Sequence, residues 1–223
     1  MKIIARIRTP FSEKFGIPRQ AGLVEEVEGR IVFEPEYRDP EALRGIEGYS
    51  HLWIIWQFSE AVREDWSPTV RPPRLGGNKR MGVFATRSPF RPNPIGLSCV
   101  RFIGKELTED GWVLKVSGAD MLDGTPIYDI KPYLAFTDSH PDAIGGFADP
   151  VKDYSLPVTF PDTFLNEIKE EDREPLISLL SFDPRPAYKG ESDREYGMKY
   201  KNYEVFFVVC EGALRVIGVK KSK

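Results

Sequence analysis

Short apolar runs alternate with polar residues over the first part of the chain, and turn residues separate the runs. An alternation of period two places apolar side chains on one face of a strand, and Gly, Pro or Asp beside a run favours a turn. Strands that follow one another without long helices between them are typical of antiparallel or mixed barrels rather than doubly wound sheets. The predicted strands are 3–7, 23–27, 31–33, 52–58, 83–86, 97–103 and 112–116.

The pattern changes in the last third of the chain. Residues 138–160 are rich in turn residues and predict irregular structure, whereas 163–182 are helical in character. Pro175 lacks a backbone donor, so we expect the helix to be divided there. Two further strands are expected, at 203–209 and 213–219. The predicted fold is mainly β, with a β-barrel domain over residues 1–137 and a small C-terminal α+β unit over 138–223.

The composition is that of an ordinary folded protein. The chain has 223 residues, of which 41% are hydrophobic and 29% charged, enough for one substantial domain. Two cysteines and two histidines supply neither a disulfide framework nor a structural zinc site, so no metal is expected. No apolar run approaches the roughly 20 residues of a membrane span, and the N-terminus lacks the features of a secretion signal. We therefore expect a soluble cytoplasmic protein.

The formal net charge of −3 conceals a strong segregation of charge along the chain. Residues 66–105 contain eight basic residues and no acidic one, whereas 138–183 contain 3 basic and 11 acidic residues. Six of the eight are arginines, which suit bidentate contacts with phosphate or carboxylate. Pro, Gly and Asn lie between them and fix backbone shape. The segment predicts either an anion-binding surface, for nucleic acid or another phosphate ligand, or a solvated face.

Motifs of several common enzyme classes are absent. The chain contains no GxxxxGKS or GxxxxGKT, no GxGxxG and no GxSxG, which disfavours P-loop, Rossmann and serine-hydrolase folds. Other stretches have plain structural interpretations beside functional ones. Residues 9–20 fit a surface turn, and 48–58 fit a core strand that contains His51. The stretch 120–134 fits a turn with capping carboxylates, which are Asp120, Asp123 and Asp129.

Four strings occur in order along the chain: KFGIPRQ, VRPPRLGGNKRMGVFATRSPFRPNPIG, DGTPIYDIKPYL and DPRPAY. Together they resemble the TrmO family of tRNA adenine-N6-methyltransferases, which use S-adenosylmethionine. The resemblance spans residues 1–137 and 183–209 and implies a homodimeric methyltransferase built on a β-barrel. It also implies a substrate, the adenosine just 3′ of the anticodon in threonine tRNA, whose N6 already carries a threonylcarbamoyl group.

The resemblance also assigns site residues, position by position. One position departs from the family, because relatives often have His where this chain has Ser59, and the ring contact expected there is lost. The implied cofactor contacts are Pro18, Arg19, Gln20, Phe58, Ser59, Arg87, Leu97, Leu122, Asp123, Gly124 and Thr125. The expected contacts to the anticodon loop of tRNA are Arg71, Arg74, Lys79, Arg80, Arg91, Arg185 and Tyr188.

Methyl transfer from a sulfonium is an in-line displacement, which positioning of the two reactants accelerates. Arg19 or Arg87 would hold the methionine carboxylate. N6 of a carbamoylated adenine is a better nucleophile if it loses its proton as it attacks. The expected acceptor is Asp123, Asp129 or another Asp of the stretch 120–129, or else the threonyl carboxylate of the substrate. Two alternatives remain at this point, namely a non-catalytic RNA-binding β-barrel and an enzyme acting on a small phosphorylated substrate.

Overall fold

The computed structural model describes residues 1–72, 75, 79–185 and 192–221. Strands and α-helices are numbered separately in chain order, and strands dominate, so the prediction of a mainly β fold is confirmed. The strands are β1 Ala5–Arg8, β2 Glu28–Phe33, β3 His51–Gln57, β4 Thr69–Val70, β5 Met81–Gly82, β6 Ile95–Thr108, β7 Gly111–Ser117, β8 Pro126–Pro132, β9 Val158–Thr159, β10 Ser192–Tyr200, β11 Tyr203–Cys210 and β12 Ala213–Lys221. The α-helices are α1 Ala135–Asp138, α2 Asp162–Leu165 and α3 Glu170–Ser181.

Six antiparallel strands form the larger sheet, in the order β1-β2-β7-β6-β3-β8. Strand β8 pairs again with β1, through Ala5 opposite Ile127, so the sheet closes on itself. Apolar residues at alternate positions fill the interior, as the period of two requires. Among them are Ile7, Ile31, Leu52, Ile54, Val100, Leu114, Val116 and Ile127, all of them buried.

Strand direction places three long connections at the same end of this sheet. Neighbouring strands run in opposite directions, so β1, β3 and β7 end where β2, β6 and β8 begin. The connections 9–27, 58–94 and 118–125 therefore meet there, and this end is called the loop end below. The connection 34–50 and helix α1 lie at the opposite end. Most of the residues assigned to the site lie on these three connections.

A second sheet, in the order β10-β11-β12-β9, forms its own hydrophobic core with α3. Tyr203, Val205 and Phe207 of β11 are buried in this core. It also takes in Phe11, Val24 and Val27 from the first connection at the loop end. A division of the chain after residue 137 thus leaves part of the N-terminal region packed against the C-terminal sheet, and the division itself stays a proposal.

Two predicted strands are not strands. The segment 23–27 is a bend in which Val24 and Val27 turn into the second core, so their apolar character reflects burial rather than sheet pairing. Residues Val83–Ala85 form a short 3-10 helix, with Val83 buried and the Thr86 N–H bonded to its carbonyl. Further 3-10 helices are Pro35–Tyr37, Pro40–Leu43, Ile46–Gly48, Ser59–Ala61 and Gly146–Val151.

The helical region divides at a different place from the one predicted. Helix α2 ends before Asn166, and α3 runs without a break through Pro175. The proline removes one intrahelical donor, but Leu176, Leu179 and Leu180 after it are buried in the second core and hold the helix together. The prediction of a break at Pro175 is therefore wrong, because tertiary packing outweighs the local cost.

Candidate functional site at the loop end

The turn that precedes β8 is fixed by hydrogen bonds to β1. The Asp123 carboxylate accepts a hydrogen bond from the Thr9 N–H at 3.0 Å and lies 3.6 Å from a guanidinium nitrogen of Arg8. Gly124 has φ +76°, a conformation that glycine adopts at little cost. The Thr125 hydroxyl donates to the Leu122 carbonyl at 2.7 Å. The DGT sequence thus presents an exposed carboxylate on a rigid turn.

Two cofactor residues predicted from distant parts of the sequence touch each other. The Arg87 guanidinium donates a hydrogen bond to the side-chain carbonyl of Gln20, although the two are 67 positions apart. The Gln20 amide nitrogen in turn donates to the Arg19 carbonyl at 2.5 Å. Arg87 is exposed, and this bond uses one of the five N–H donors that a guanidinium carries. The contact joins the first and second connections directly.

Near this contact, two buried side chains, Trp56 and Ser98, connect to the half-buried carboxylate of Asp120. The Trp56 indole N–H donates to the Ser98 hydroxyl at 2.9 Å, and that hydroxyl donates to the Asp120 carboxylate at 2.5 Å. Burial raises the pKa of the Asp120 carboxyl, and hydrogen bonds from Ser98 and from the Ala21 N–H, with the charge of Arg87, oppose the increase only in part. A carboxyl of raised pKa beside a cleft is a typical feature of functional sites.

The sequence interpretation did not identify Trp56 and Ser98 as site residues. Ser98 lies between Leu97 and Cys99 in a predicted strand, where alternation puts it on the inward face with Val100. A hydroxyl at an inward position needs a hydrogen-bond partner, and that requirement was the available signal. Ser98 is buried, and Trp56 and Asp120 are its partners.

Phe58, Ser59 and Leu97 line the outer side of the same end. Phe58 is half-buried and contacts Trp56 with ring centroids 4.2 Å apart and ring planes inclined by 58°, while Ser59 is exposed. Leu97 faces outward and is 57% exposed. Leu97 and Phe58 thus supply apolar side chains at this end of the sheet, which suit contact with an aromatic ring of a ligand.

Arg19 and Arg185 have structural partners in this conformation. Arg19 donates to the carbonyls of Asp183 and Arg185, at 3.0 and 2.8 Å, and so ties the first connection to the DPR sequence. The Arg185 guanidinium is bonded to both Asp183 carboxylate oxygens, at 2.8 and 2.9 Å, and the residue is 6% exposed. This placement does not favour the predicted contact of Arg185 with tRNA.

The remaining predicted residues are placed as follows. Pro18 is buried, and Asp129 lies on β8 opposite Ile55, where it pairs with Lys131 at 3.0 Å, away from the turn that carries Asp123. Arg91 donates to the Thr86 and Ser88 carbonyls and so stabilises the turn between them. Of the cations predicted to contact tRNA, Arg71, Lys79 and Arg80 are exposed on the second connection. Arg74 and Tyr188 lie outside the described residues.

Within the described ranges, no three side chains of His, Cys, Asp or Glu gather in a way that would hold a metal ion. Over the same ranges, no helix combines the length and the apolar character needed to cross a membrane.

Comparison with known proteins gives consistent matches over nearly the whole chain. The family model described as the tRNA-methyltransferase O N-terminal domain matches residues 6–139, and that of the TrmO C-terminal domain matches 153–222. A tRNA (adenine(37)-N6)-methyltransferase of Escherichia coli is 42% identical, covering 97% of this chain and 96% of the relative. A putative S-adenosylmethionine-dependent methyltransferase of Pseudomonas aeruginosa is 41% identical over 91% of this chain and 89% of its own.

Solved structures agree with these sequence matches. A crystal structure of TrmO from Pseudomonas aeruginosa superposes with a TM-score of 0.79 at 34% identity, covering 98% of this chain and 95% of that one. A second crystal structure of TrmO gives a TM-score of 0.77 at 34% identity over 97% and 96% of the two chains. Fold and sequence therefore point to one family along the full length of the protein.

Proposed function

The chain belongs to the tRNA-methyltransferase O family, and from that premise we propose that it methylates N6 of the adenosine at position 37 of a tRNA. The protein is an S-adenosylmethionine-dependent methyltransferase, as its relatives are. The reacting groups would meet at the loop end. The observation that carries this location is the Arg87–Gln20 contact, which joins two connections close to the half-buried Asp120.

The residues at the loop end fit the parts of S-adenosylmethionine. Its carboxylate requires a cation, and Arg87 is exposed, whereas Arg19 is engaged with two backbone carbonyls. Its adenine ring requires an apolar partner, and Leu97 and Phe58 supply one. Bound there, the cofactor would supply an electrophilic methyl group for in-line displacement. We assign the carboxylate to Arg87 and the adenine side to Leu97 and Phe58.

The proton released from N6 requires an acceptor. Asp123 is an exposed carboxylate on a turn held by β1, and Asp120 has a pKa raised by burial, which brings a base closer to the working pH. Asp129 is paired with Lys131 on the outer face of β8, so its placement supports a base role less well. We propose Asp123 or Asp120, or the carboxylate of the substrate, as the acceptor.

The finer description of the substrate is also a proposal. We propose that the adenosine carries a threonylcarbamoyl group, that the tRNA reads threonine codons, and that Arg71, Lys79 and Arg80 contact phosphates of the anticodon loop. These three side chains are exposed on the second connection. We also propose that the enzyme acts as a homodimer in the cytoplasm.

Isothermal titration with S-adenosylmethionine and S-adenosylhomocysteine tests the cofactor site. Both ligands should bind the wild type, and Arg87→Ala should bind about tenfold or more weakly because a hydrogen bond to a charged group is lost. The control is Arg44→Ala, an exposed arginine on the connection at the opposite end. Equal binding by Arg87→Ala and the control would remove Arg87 from the site.

Methylation assays then separate the substrate proposals. Threonine tRNA with and without the threonylcarbamoyl group should give product only, or much faster, when the group is present. Equal rates would overturn that part of the proposal. No heat from either cofactor ligand with a folded protein would instead favour the non-catalytic RNA-binding interpretation.

A further inference from the structure

The second connection at the loop end carries a short two-stranded arm. Strands β4 and β5 pair with Thr69 opposite Gly82 and Val70 opposite Met81. Trp66 precedes the arm and Phe84 follows it, so both rings lie at its base. Their centroids are 6.0 Å apart and their planes are inclined by 33°. The arm thus presents two aromatic rings side by side.

Both rings are exposed although the backbone beneath them is held firmly. Trp66 is 51% exposed and Phe84 is 73% exposed. Between them, the Val83 N–H bonds to the Pro68 carbonyl at 2.9 Å, and the Val83 side chain is buried. Large exposed aromatic rings on an ordered backbone mark interaction surfaces more often than packing faults. The pair is therefore positioned to contact a partner.

The surroundings of the pair favour an anionic partner with flat rings. Arg71, Lys79 and Arg80 are exposed in the segment between β4 and β5. The sequence from 66 to 105 contains no acidic residue, and the acidic residues nearest in sequence are Glu64 and Asp65 before Trp66. On the other side, the Arg63 guanidinium lies 4.1 Å from the centroid of the Phe90 ring, which is 41% exposed. Aromatic rings beside cations are the combination that binds unpaired nucleic-acid strands, through base stacking and phosphate contacts.

We propose that Trp66 and Phe84 form a stacking platform for unpaired bases of the RNA substrate, with Arg71, Lys79 and Arg80 on the adjoining phosphates. The inference rests on the proposed function, because that function makes an anticodon loop the substrate. It adds the surface that distinguishes a loop with unstacked bases from a paired stem. Stacking of this kind tolerates any base, since every base has a π face.

The test measures binding of an anticodon stem-loop RNA and of a blunt duplex with the same stem sequence. Trp66→Ala and Phe84→Ala should each weaken stem-loop binding about tenfold or more, the usual effect of losing one stacked base. Duplex binding should change little. The slope of log K against log[salt] should stay at its wild-type value, because phosphate contacts set that slope.

Two control variants and two further measurements make the result specific. Phe136→Ala removes a ring that is 88% exposed, on α1 at the opposite end, and should leave binding unchanged. Trp66→Phe should retain most of the affinity because it retains a stacking face. A 2-aminopurine placed in the RNA loop should be quenched on binding to the wild type and less so with Trp66→Ala. All variants should bind S-adenosylhomocysteine as the wild type does.

Two outcomes would overturn the platform. One is equal stem-loop affinity of the wild type and the Trp66→Ala–Phe84→Ala double variant. The other is a change of oligomeric state in that variant, seen by sedimentation, which would make the surface a contact between protein chains. Failure of the proposed function would be seen in a different measurement. In that case the wild-type protein would bind neither cofactor ligand, whatever its affinity for the stem-loop.

Discussion

Asp120 is half-buried and Asp183 is buried, and their surroundings shift the pKa values of the two carboxyls in opposite directions. Burial raises the pKa of Asp120, and its hydrogen-bond donors offset this only in part. Burial also acts to raise the pKa of Asp183, but the Arg185 guanidinium on both its oxygens outweighs burial and leaves the pKa below its ordinary value. Asp120 therefore keeps its proton to a higher pH than an ordinary carboxyl, and Asp183 stays ionised to a lower pH.

The raised pKa of Asp120 predicts a pH-dependent cost in stability. An acid whose pKa is higher in the folded state binds its proton more tightly there, so its contribution to stability falls as pH rises from the ordinary carboxyl range through the raised value. Asp120→Asn does not ionise and escapes this loss. The melting temperature of Asp120→Asn, relative to that of the wild type at the same pH, should therefore rise between pH 4 and pH 8. A difference that is constant with pH would contradict this account of Asp120.

The Asp183–Arg185 pair predicts an unequal response to single and double substitution. Arg185→Met leaves a buried carboxylate without its counter-ion and should lower the free energy of unfolding by about 3–5 kcal/mol. Asp183→Asn combined with Arg185→Met removes both charges and should cost less. Asn suits this position, where φ is +50°. Denaturant titration gives both values, and a double variant less stable than Arg185→Met would contradict the prediction.

The lowered pKa of Asp183 gives this pair its own pH dependence. A depressed pKa contributes stability above the ordinary carboxyl value, and that contribution is lost as pH falls through the folded-state value. Lowering the pH should therefore decrease the difference in the free energy of unfolding between the wild type and the double variant. The trend at Asp120 is the opposite, because lowering the pH favours the wild type over Asp120→Asn.

At the scale of elements, strand β6 connects the core to the site. Its inward positions include Gly96, Ser98 and Val100, while Leu97 faces outward at the loop end. A Cβ on Gly96 would lie 2.2 Å from the Trp56 ring, so only glycine allows the indole to reach Ser98. Gly96 is thus part of a sequence motif and is also required for the packing of Trp56.

Gly96→Ala should disturb this arrangement more than another glycine substitution nearby. We expect it to lower the free energy of unfolding by about 1–3 kcal/mol, the usual cost of overpacking, and to weaken cofactor binding because the Trp56–Ser98–Asp120 chain shifts. Gly82→Ala is the matched control, since nothing lies within 4 Å of its added Cβ and its φ is −58°. Denaturant titration and calorimetry of both variants measure the two effects, and equal losses in both would contradict the packing argument.

The sequence predicts an element well where the periodicity of its apolar residues alone determines it. Strands such as β3 and β11 show strictly alternating burial over nearly their whole length and occur close to where the pattern placed them. The bend at 23–27 and the uninterrupted α3 did not follow local preferences, because Val24, Val27 and Leu176 are buried in a core formed with residues far away in sequence. Long-range packing of this kind leaves no local signal.

At the scale of the whole molecule, most of the residues predicted to form the site lie at one end of a closed sheet. Alternating strand direction brings the three long connections to this end, although they occupy separate parts of the sequence. Motifs from distant parts of the sequence named residues that contact each other, as Gln20 and Arg87 do. The partners of Arg19 and Arg185 could not be assigned from motifs, because a cation within a motif has the same appearance whether it binds a ligand or a backbone carbonyl.

The most direct test of the account is to locate the transferred methyl group. Threonine tRNA incubated with the protein and S-adenosylmethionine bearing a deuterated methyl group is digested, and the fragments are sequenced by mass spectrometry. The account predicts a labelled methyl on N6 of adenosine 37, greatly reduced with Arg87→Ala and unchanged with Arg44→Ala. Label at another nucleotide, or none from a wild-type protein that binds the cofactor, would contradict it.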